Sequence, residues 1–421
     1  MNCISNLLPT LLIFPWALSQ MVPCSSALQT RSEEAPAFDL RLAPDLWSRD
    51  EMLGDPLGWR QYWLASGVDV SARLTLEGFG IMSGGVSRSS STMSLLDIQA
   101  EFDLERMGSL SGASALMRVA SVAGAGISED IGSVQSSSSN ETQEHTSILE
   151  LWYAWQGGDS VGFRAGKIDA GRDFSRIATF DGFVHAAAQL GDGSVPFPSD
   201  PDSAMGLTGF LSMGLMRLNV GVFNANDPSM GGSLLADSHR GLTADFDNTL
   251  LMAELEFDWA AAGNAEVGKL AVGFWRHNGQ VPLFRGGTNS GQEGLYLMGE
   301  QEVWRGRSHG ADRRPSIKFL GQFSMADDEA FLIERNLAAG LRIDGANRLR
   351  PDDSTGALLS ISDLTGVPGA GVSGFEVVAN LFHRYQWTPA IALTPDVQII
   401  IDPAGSGTDA LVLGLRIEID L

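Results

Sequence analysis

Residues Leu95–Met107, LLDIQAEFDLERM, alternate strictly between oil and acid. Leu96, Ile98, Ala100, Phe102 and Leu104 share one parity; Asp97, Gln99, Glu101 and Asp103 share the other. An extended chain turns successive side chains to opposite faces, so this segment is a strand with one apolar and one acidic face. The apolar face has to meet either a soluble core or lipid.

The same period runs through most of the chain. In Val70–Gly80, Val70, Ala72, Leu74 and Leu76 oppose Arg73, Thr75 and Glu77. Ser147–Trp155 alternates around Glu150. Leu251, Ala253, Leu255, Phe257 and Trp259 oppose Glu254, Glu256 and Asp258. Phe375, Val377, Ala379 and Leu381 oppose Glu376 and Arg384, and the last stretch sets Leu411 through Leu421 against Arg416, Glu418 and Asp420. Further strands are expected at 161–168, 211–223, 269–276, 294–304, 316–323, 336–344 and 391–401. Arg217 and Lys167 fall on the wrong parity of this scheme. The lengths suit tilted membrane strands. No extended helical period interrupts them, which argues against βαβ units, and no clean repeat suggests a solenoid or propeller. Ser136–His145 and Gly191–Ser203 read as longer loops.

The first 27 residues carry no charge and contain the apolar run Leu7–Leu18, followed by Ser25-Ser26-Ala27. This is the expected form of an export signal with small residues at its cleavage site. Both cysteines, Cys3 and Cys24, fall inside it, so a mature chain offers no thiolate for disulfides, catalysis or metal. Residues 28–67 are expected to form a polar arm and a short amphipathic helix over about 56–66, with Asp55 near its N-cap and Gly67 at its C-cap. Trp59, Tyr62 and Trp63 share one face of it. Residues 68–421 are the expected barrel. Beyond Ala27 no apolar run is long enough for a membrane helix.

A soluble sandwich also alternates, with its apolar face inward. The expected signal, the sustained alternation and a final strand that runs to Leu421 favour a lipid-facing barrel, because lipid tolerates no open sheet edge. Acidic residues dominate the polar parity, joined by Arg73, Arg164, Lys318, Arg342, Arg384 and Arg416. A wet lumen keeps such groups charged without the desolvation cost of a core. The chain holds 51 acidic and 28 basic residues, a formal charge of −23, which argues against nucleic acid or anionic headgroups as principal partners.

The stretch Asp50–Gly80 resembles the mature start of the carbohydrate-selective porin OprB family. Gly162–Phe174, Gly294–Arg305 and, most specifically, Phe375–Gly405 followed by DALVLGLRIEI match that family's order of segments. The chain departs from it where Pro56-Leu57-Gly58-Trp59 replaces a Gly-Gly before the helix arginine, and where Leu421 replaces a terminal phenylalanine. The resemblance implies an all-β fold, an antiparallel transmembrane barrel of sixteen strands in the bacterial outer membrane. It implies passive entry of small sugars through a narrow zone lined by arginines, acids and aromatics.

A pore requires a constriction and groups that replace part of the solute's hydration. Parity offers Arg73, Glu77, Asp97, Glu101, Glu150, Trp152, Arg164, Glu254, Glu256 and Arg384 for contact with sugar. Their bland role is to solvate a wide channel. The carboxylate pairs Asp97/Glu101 and Glu254/Glu256 recur from strand to strand, as in a wall and unlike a glycosidase site. The six histidines are scattered, no phosphate loop is present, and neither cofactor nor metal is expected. Asp-rich stretches at Asp181–Asp202 and Ala244–Leu250 lack an EF-hand spacing. Arg305–Arg314 is the one basic island, either balancing nearby acids or meeting lipopolysaccharide. Outer-membrane lipid and small sugars are the expected partners, with a homotrimer and a monomer both open. A general or cation-preferring porin and a secreted β-rich binding protein are the alternatives.

Overall fold

A computed structural model describes residues 46–55, 57–108, 110–190, 194–199, 202–225, 242, 246–259, 268–307, 314–327, 329–405 and 408–421. The expected signal over 1–27, the arm over 28–44 and most of the basic island 305–314 lie outside these residues. So do 191–193, 200–201 and 244–245 of the Asp-rich stretches.

A short helix, α1 (Trp59–Ala65), precedes the first strand. The strands follow in order: β1 (Val68–Ser83), β2 (Ser90–Asp103), β3 (Ala113–Gly124), β4 (His145–Gly157) and β5 (Val161–Ile168). Next are β6 (Ala204–Met213), β7 (Met216–Asn224), β8 (Thr249–Asp258), β9 (Gly268–Pro282), β10 (Thr288–Arg305) and β11 (Ser316–Met325). The last are β12 (Ile333–Asp344), β13 (Ser354–Leu364), β14 (Gly374–Thr388), β15 (Ile391–Ile401) and β16 (Ala410–Asp420). A four-residue helix, α2 (Ser128–Ile131), lies between β3 and β4. Every strand pairs antiparallel with its sequence neighbours, and β16 returns to β1, so the sixteen strands close into a barrel without an edge.

The closure decides which face is which. Leu76 of β1, Phe163 of β5, Leu297 of β10 and Leu413 of β16 are exposed on the outside, and each remaining strand adds at least one exposed large apolar residue. Their cross-strand partners keep the same parity around the ring, as Leu76 opposite Ile417 illustrates. The charged parity faces inward, where Glu77 stands opposite Arg416 and Arg73 opposite Asp97. A soluble sandwich would bury its apolar parity, whereas this barrel displays it as a continuous belt. A belt of that kind greatly exceeds the isolated patches that water-soluble proteins expose. Its solvent is hydrocarbon.

The single strand expected at 211–223 is the end of β6, a turn and most of β7. Gly214 and Leu215 form a two-residue turn between β6 and β7, and Gly214 has φ +64, a conformation that glycine adopts without a Cβ penalty. The turn resets the parity, so Arg217 points inward, its guanidinium 3.6 Å from the Phe210 ring centroid and its Nε donating to Asn219 at 2.9 Å. Lys167, the other anomaly, is fully buried near the end of β5.

Candidate functional site

Two connections fold into the lumen from the end opposite the chain termini. Residues 125–144, between β3 and β4, reach across to the far wall. Glu376 of β14 accepts from the backbone N–H groups of Val134 and Gln135 at 2.8 and 2.9 Å. Glu77 accepts from Ser138 Oγ at 2.7 Å and Asn140 Nδ2 at 2.9 Å, and Gln398 Nε2 donates to the Ser137 carbonyl at 2.7 Å. The described residues between β5 and β6, 169–190, 194–199 and 202–203, lean on other strands. Ser175 N donates to Glu254 Oε2 at 2.7 Å, Lys269 Nζ to the Arg176 carbonyl at 2.8 Å, and Gln322 Nε2 to the Ala187 carbonyl at 3.0 Å. The two loops also bond to each other, Ser139 N to Val184 O at 2.9 Å and Ala186 N to Ser136 O at 3.1 Å. Together they form a partition across the barrel.

Beneath it lies a charge network on β2–β5. Arg118 Nε donates to both oxygens of Asp97, at 3.0 and 2.8 Å, and its Nη1 lies 3.6 Å from Glu150. Arg172, on the loop, grips Glu150 through two bonds of 2.6 Å. Trp152 Nε1 donates to Glu150 at 3.0 Å, and the Arg164 guanidinium lies 4.5 Å from the Trp152 ring centroid. Arg164 in turn pairs with Asp173. Four of the residues singled out by parity, Asp97, Glu150, Trp152 and Arg164, thus meet in one network. Trp152 is only 7% exposed, and its ring carries an arginine.

The remaining candidates are spread around the wall. Glu254 is fully buried, accepting from Tyr296 Oη at 2.7 Å and from the loop at Ser175. Glu256 takes Asn219 Nδ2 at 2.8 Å and Lys269 at 3.0 Å. Arg73 pairs with Asp420 at 2.7 Å, and Arg384 with Glu418 at 3.2 Å. Glu77 is buried between Arg416 and the Ser138 loop. Glu101 stands exposed opposite Asp69 toward the terminal end. Among the described residues no three potential ligands converge on a metal-sized site.

Three water-accessible recesses surround the partition. One of about 690 Å³ opens toward the loops and is lined by Arg118, Ser136, Asp169, Arg172, Arg176 and Asp181 among others. A second, of about 640 Å³, reaches the β4–β5 and β6–β7 turns at the terminal end and includes Arg172, Arg176, Arg217, Glu256 and Lys269. A third, of about 220 Å³, holds Arg73, Asp181, Arg342, Arg384, Arg416 and Glu418. Arg172 and Arg176 line both the first and second, and Asp181 lines both the first and third. Arg176 is exposed, and among the described residues its guanidinium enters no ion pair, though its charge acts on Asp181. Arg118, Arg172, Arg176 and Asp181 were absent from the residues chosen by parity. For Arg172 and Arg176 the dense Asp/Arg sequence after β5, DAGRDFSR, was the available signal.

The family model for carbohydrate-selective porins, OprB family, matches residues 87–421. The chain belongs to this family. It is 24% identical to QuiX of Acinetobacter baylyi, whose name assigns it provisionally to the porins, over 90% of this chain and 96% of that one. The OprB structure of Pseudomonas putida at high pH superposes with a TM-score of 0.76 at 18% identity, covering 89% of this chain and 99% of that one. The low-pH structure of the same protein gives 0.59 at 16% identity, with the same coverage. The expected sixteen-stranded antiparallel barrel therefore holds, and the chain is a sugar porin of an outer-membrane family. Fold and family point to a channel rather than an enzyme.

Proposed function

We propose that this porin passes small uncharged carbohydrates down their gradient, and that each solute crosses the strip formed by Arg172 and Arg176. The observation that carries this reading is that these two arginines are shared by the loop-side and terminal-side recesses. Arg172 is immobilised by Glu150 and shapes the strip. Arg176, exposed and in no ion pair among the described residues although it feels the charge of Asp181, is the contact group, since a guanidinium can bond two neighbouring sugar hydroxyls at once. The route needs no nucleophile. Glu254 is sealed beneath the loop and Glu256 is tied to Lys269, so the pair is not poised for glycoside hydrolysis. Residues 1–27 act as the export signal and the outer membrane is the destination, with lipid around the belt.

Single-channel conductance of the refolded mature protein tests this, with glucose, maltose and an uncharged polyol as titrants. A current that falls saturably with one sugar is expected. Arg176→Ala should weaken that block about tenfold, equal to about 1.4 kcal/mol, while leaving discrete channels. Channels whose current no sugar blocks saturably would favour a general porin instead. A protein that folds without detergent and forms no channels would overturn the membrane reading.

A further inference from the structure

The helix α1 is fixed firmly yet buries nothing. Asp55 accepts from the N–H groups of Arg60 and Gln61 at 3.2 and 3.0 Å, satisfying two donors of the first turn. Arg60 Nη2 donates to the Leu421 carbonyl at 2.7 Å, and Arg106 of the β2–β3 turn donates to the Leu64 carbonyl at 3.0 Å. These bonds clamp the helix to the barrel's terminal end, and no residue of it is buried. Its large side chains are left over: Trp59 is 60% exposed, Tyr62 70% and Leu64 51%. The helix holds no acid, and its single charge, Arg60, is turned to the chain terminus and Glu51. In a chain of formal charge −23 that is an unusual surface.

The segment just upstream of the helix touches the outer belt. Upstream of the helix, the Trp47 ring lies 6.2 Å from that of Trp387, which ends the outward row of β14. Around the same end, Tyr153 and Trp155 of β4 contact Phe163 of β5 on the outer face. Trp304 is exposed near the terminal end of β10. Indole and phenol rings with an apolar body and a polar tip belong at the headgroup boundary, and barrels carry girdles of them there.

We propose that Trp47 through Leu64 is an interfacial anchor whose partner is lipid, with the Trp59–Tyr62–Trp63 face seated in the headgroup boundary of the leaflet at the terminal end. The inference rests on the membrane reading of the barrel. It is tested on the full chain with Cys3→Ser and Cys24→Ser, carrying one cysteine at Tyr62→Cys or, as a belt control, Leu297→Cys. Each is labelled with an environment-sensitive fluorophore and reconstituted in phosphatidylcholine vesicles bearing nitroxide either at the headgroup or near the acyl-chain end. The label at position 62 should be shifted to the blue, shielded from aqueous iodide and quenched chiefly by the headgroup nitroxide, at a depth of roughly 5–10 Å. The label at position 297 should respond chiefly to the acyl-chain nitroxide. Quenching at 297 with a water-exposed label at 62 would overturn the anchor and leave the barrel standing. Shielding at 62 without lipid quenching would mean that a second copy covers the helix, which also overturns it. Absence of lipid quenching at both positions would refute the membrane reading and the anchor together.

Discussion

Two arginines and an indole converge on the carboxylate oxygens of Glu150, which is itself fully buried. Glu150→Gln keeps the shape and removes the charge, leaving Arg118 and Arg172 facing one another. A cost of about 3 kcal/mol is expected, at the lower end for a broken buried pair because Arg172 is partly exposed. The temperature at which the barrel loses its compact electrophoretic migration should fall accordingly. A second residue-scale test concerns Gly273, where an added Cβ would sit 1.9 Å from Tyr296 Cζ. Gly273→Ala should displace the tyrosine from Glu254 and cost about 1–3 kcal/mol, whereas Tyr296→Phe, losing one hydrogen bond, should cost about 1 kcal/mol. Equal effects of the two in the same melting assay would mean that the ring yields without strain. At this scale the sequence was only half readable. Parity gave the facing of Arg73, Asp97 and Arg384, because it is a property of each strand alone. It could not say that Glu254 and Glu77 would be roofed over, because the roof comes from loops without a period.

The inserted loops behave as elements in their own right. His185 accepts the Ala187 N–H at 3.0 Å through Nδ1 and is fully enclosed, and burial depresses its pKa from 6.5 to about 3. A group depressed in the folded state contributes stability that is fully present above its unfolded value and drains as the pH falls. Docking of the 169–203 loop should therefore weaken progressively from about pH 6.5 toward about pH 3, by at most ~1.4 kcal/mol per pH unit. Asparagine can supply the same acceptor to the N–H two residues on, without a titratable proton. Noise and step size of single channels should grow on acidification in the wild type and stay flatter in His185→Asn; parallel behaviour of the two would sink the assignment. Elements were legible where alternation was strong. Strands β3 and β13 went unrecognised because small residues, such as Ala120, Ser360 and Ser362, hold inward positions, so neither face stands out. The last three residues of β6 and nearly all of β7 were read as one strand because a single glycine was the only mark of the turn, and 204–210 of β6 went unread.

The whole molecule turns an apolar belt outward, while its interior holds charge beside an apolar cluster that includes Phe174, Phe183, Trp275 and Phe382. The charges on the inner parity set the potential that a passing ion meets. The formal charge of −23 and the acid-rich inner parity predict a preference for cations that counterions can screen. Reversal potentials in a KCl gradient should favour potassium at about 0.01 M salt, where the Debye length is about 30 Å, and approach no preference at about 1 M, where it is about 3 Å. An anion preference at low salt would show that Arg176 and the wall arginines dominate the path. The global architecture was the most legible level, since alternation repeated over most of the chain leaves few ways to dispose of the apolar face.

The pairing of β1 with β16 joins residues at opposite ends of the chain, as in Glu77 opposite Arg416. The first strand therefore has to wait, with one hydrogen-bonding edge unmatched, until the last has been delivered. Such a contact has about the longest separation that the chain permits, and contacts of that kind form slowly and expose sticky edges meanwhile. Assembly calls for a surrogate edge or a membrane surface to occupy β1 in the interval. The bond from Arg60 to the final carbonyl, and that from the Leu421 N–H to the Ala72 carbonyl at 2.9 Å, are available only once the wait is over. They work as a latch on a completed ring, and a barrel that has lost them should reopen along this seam before any other.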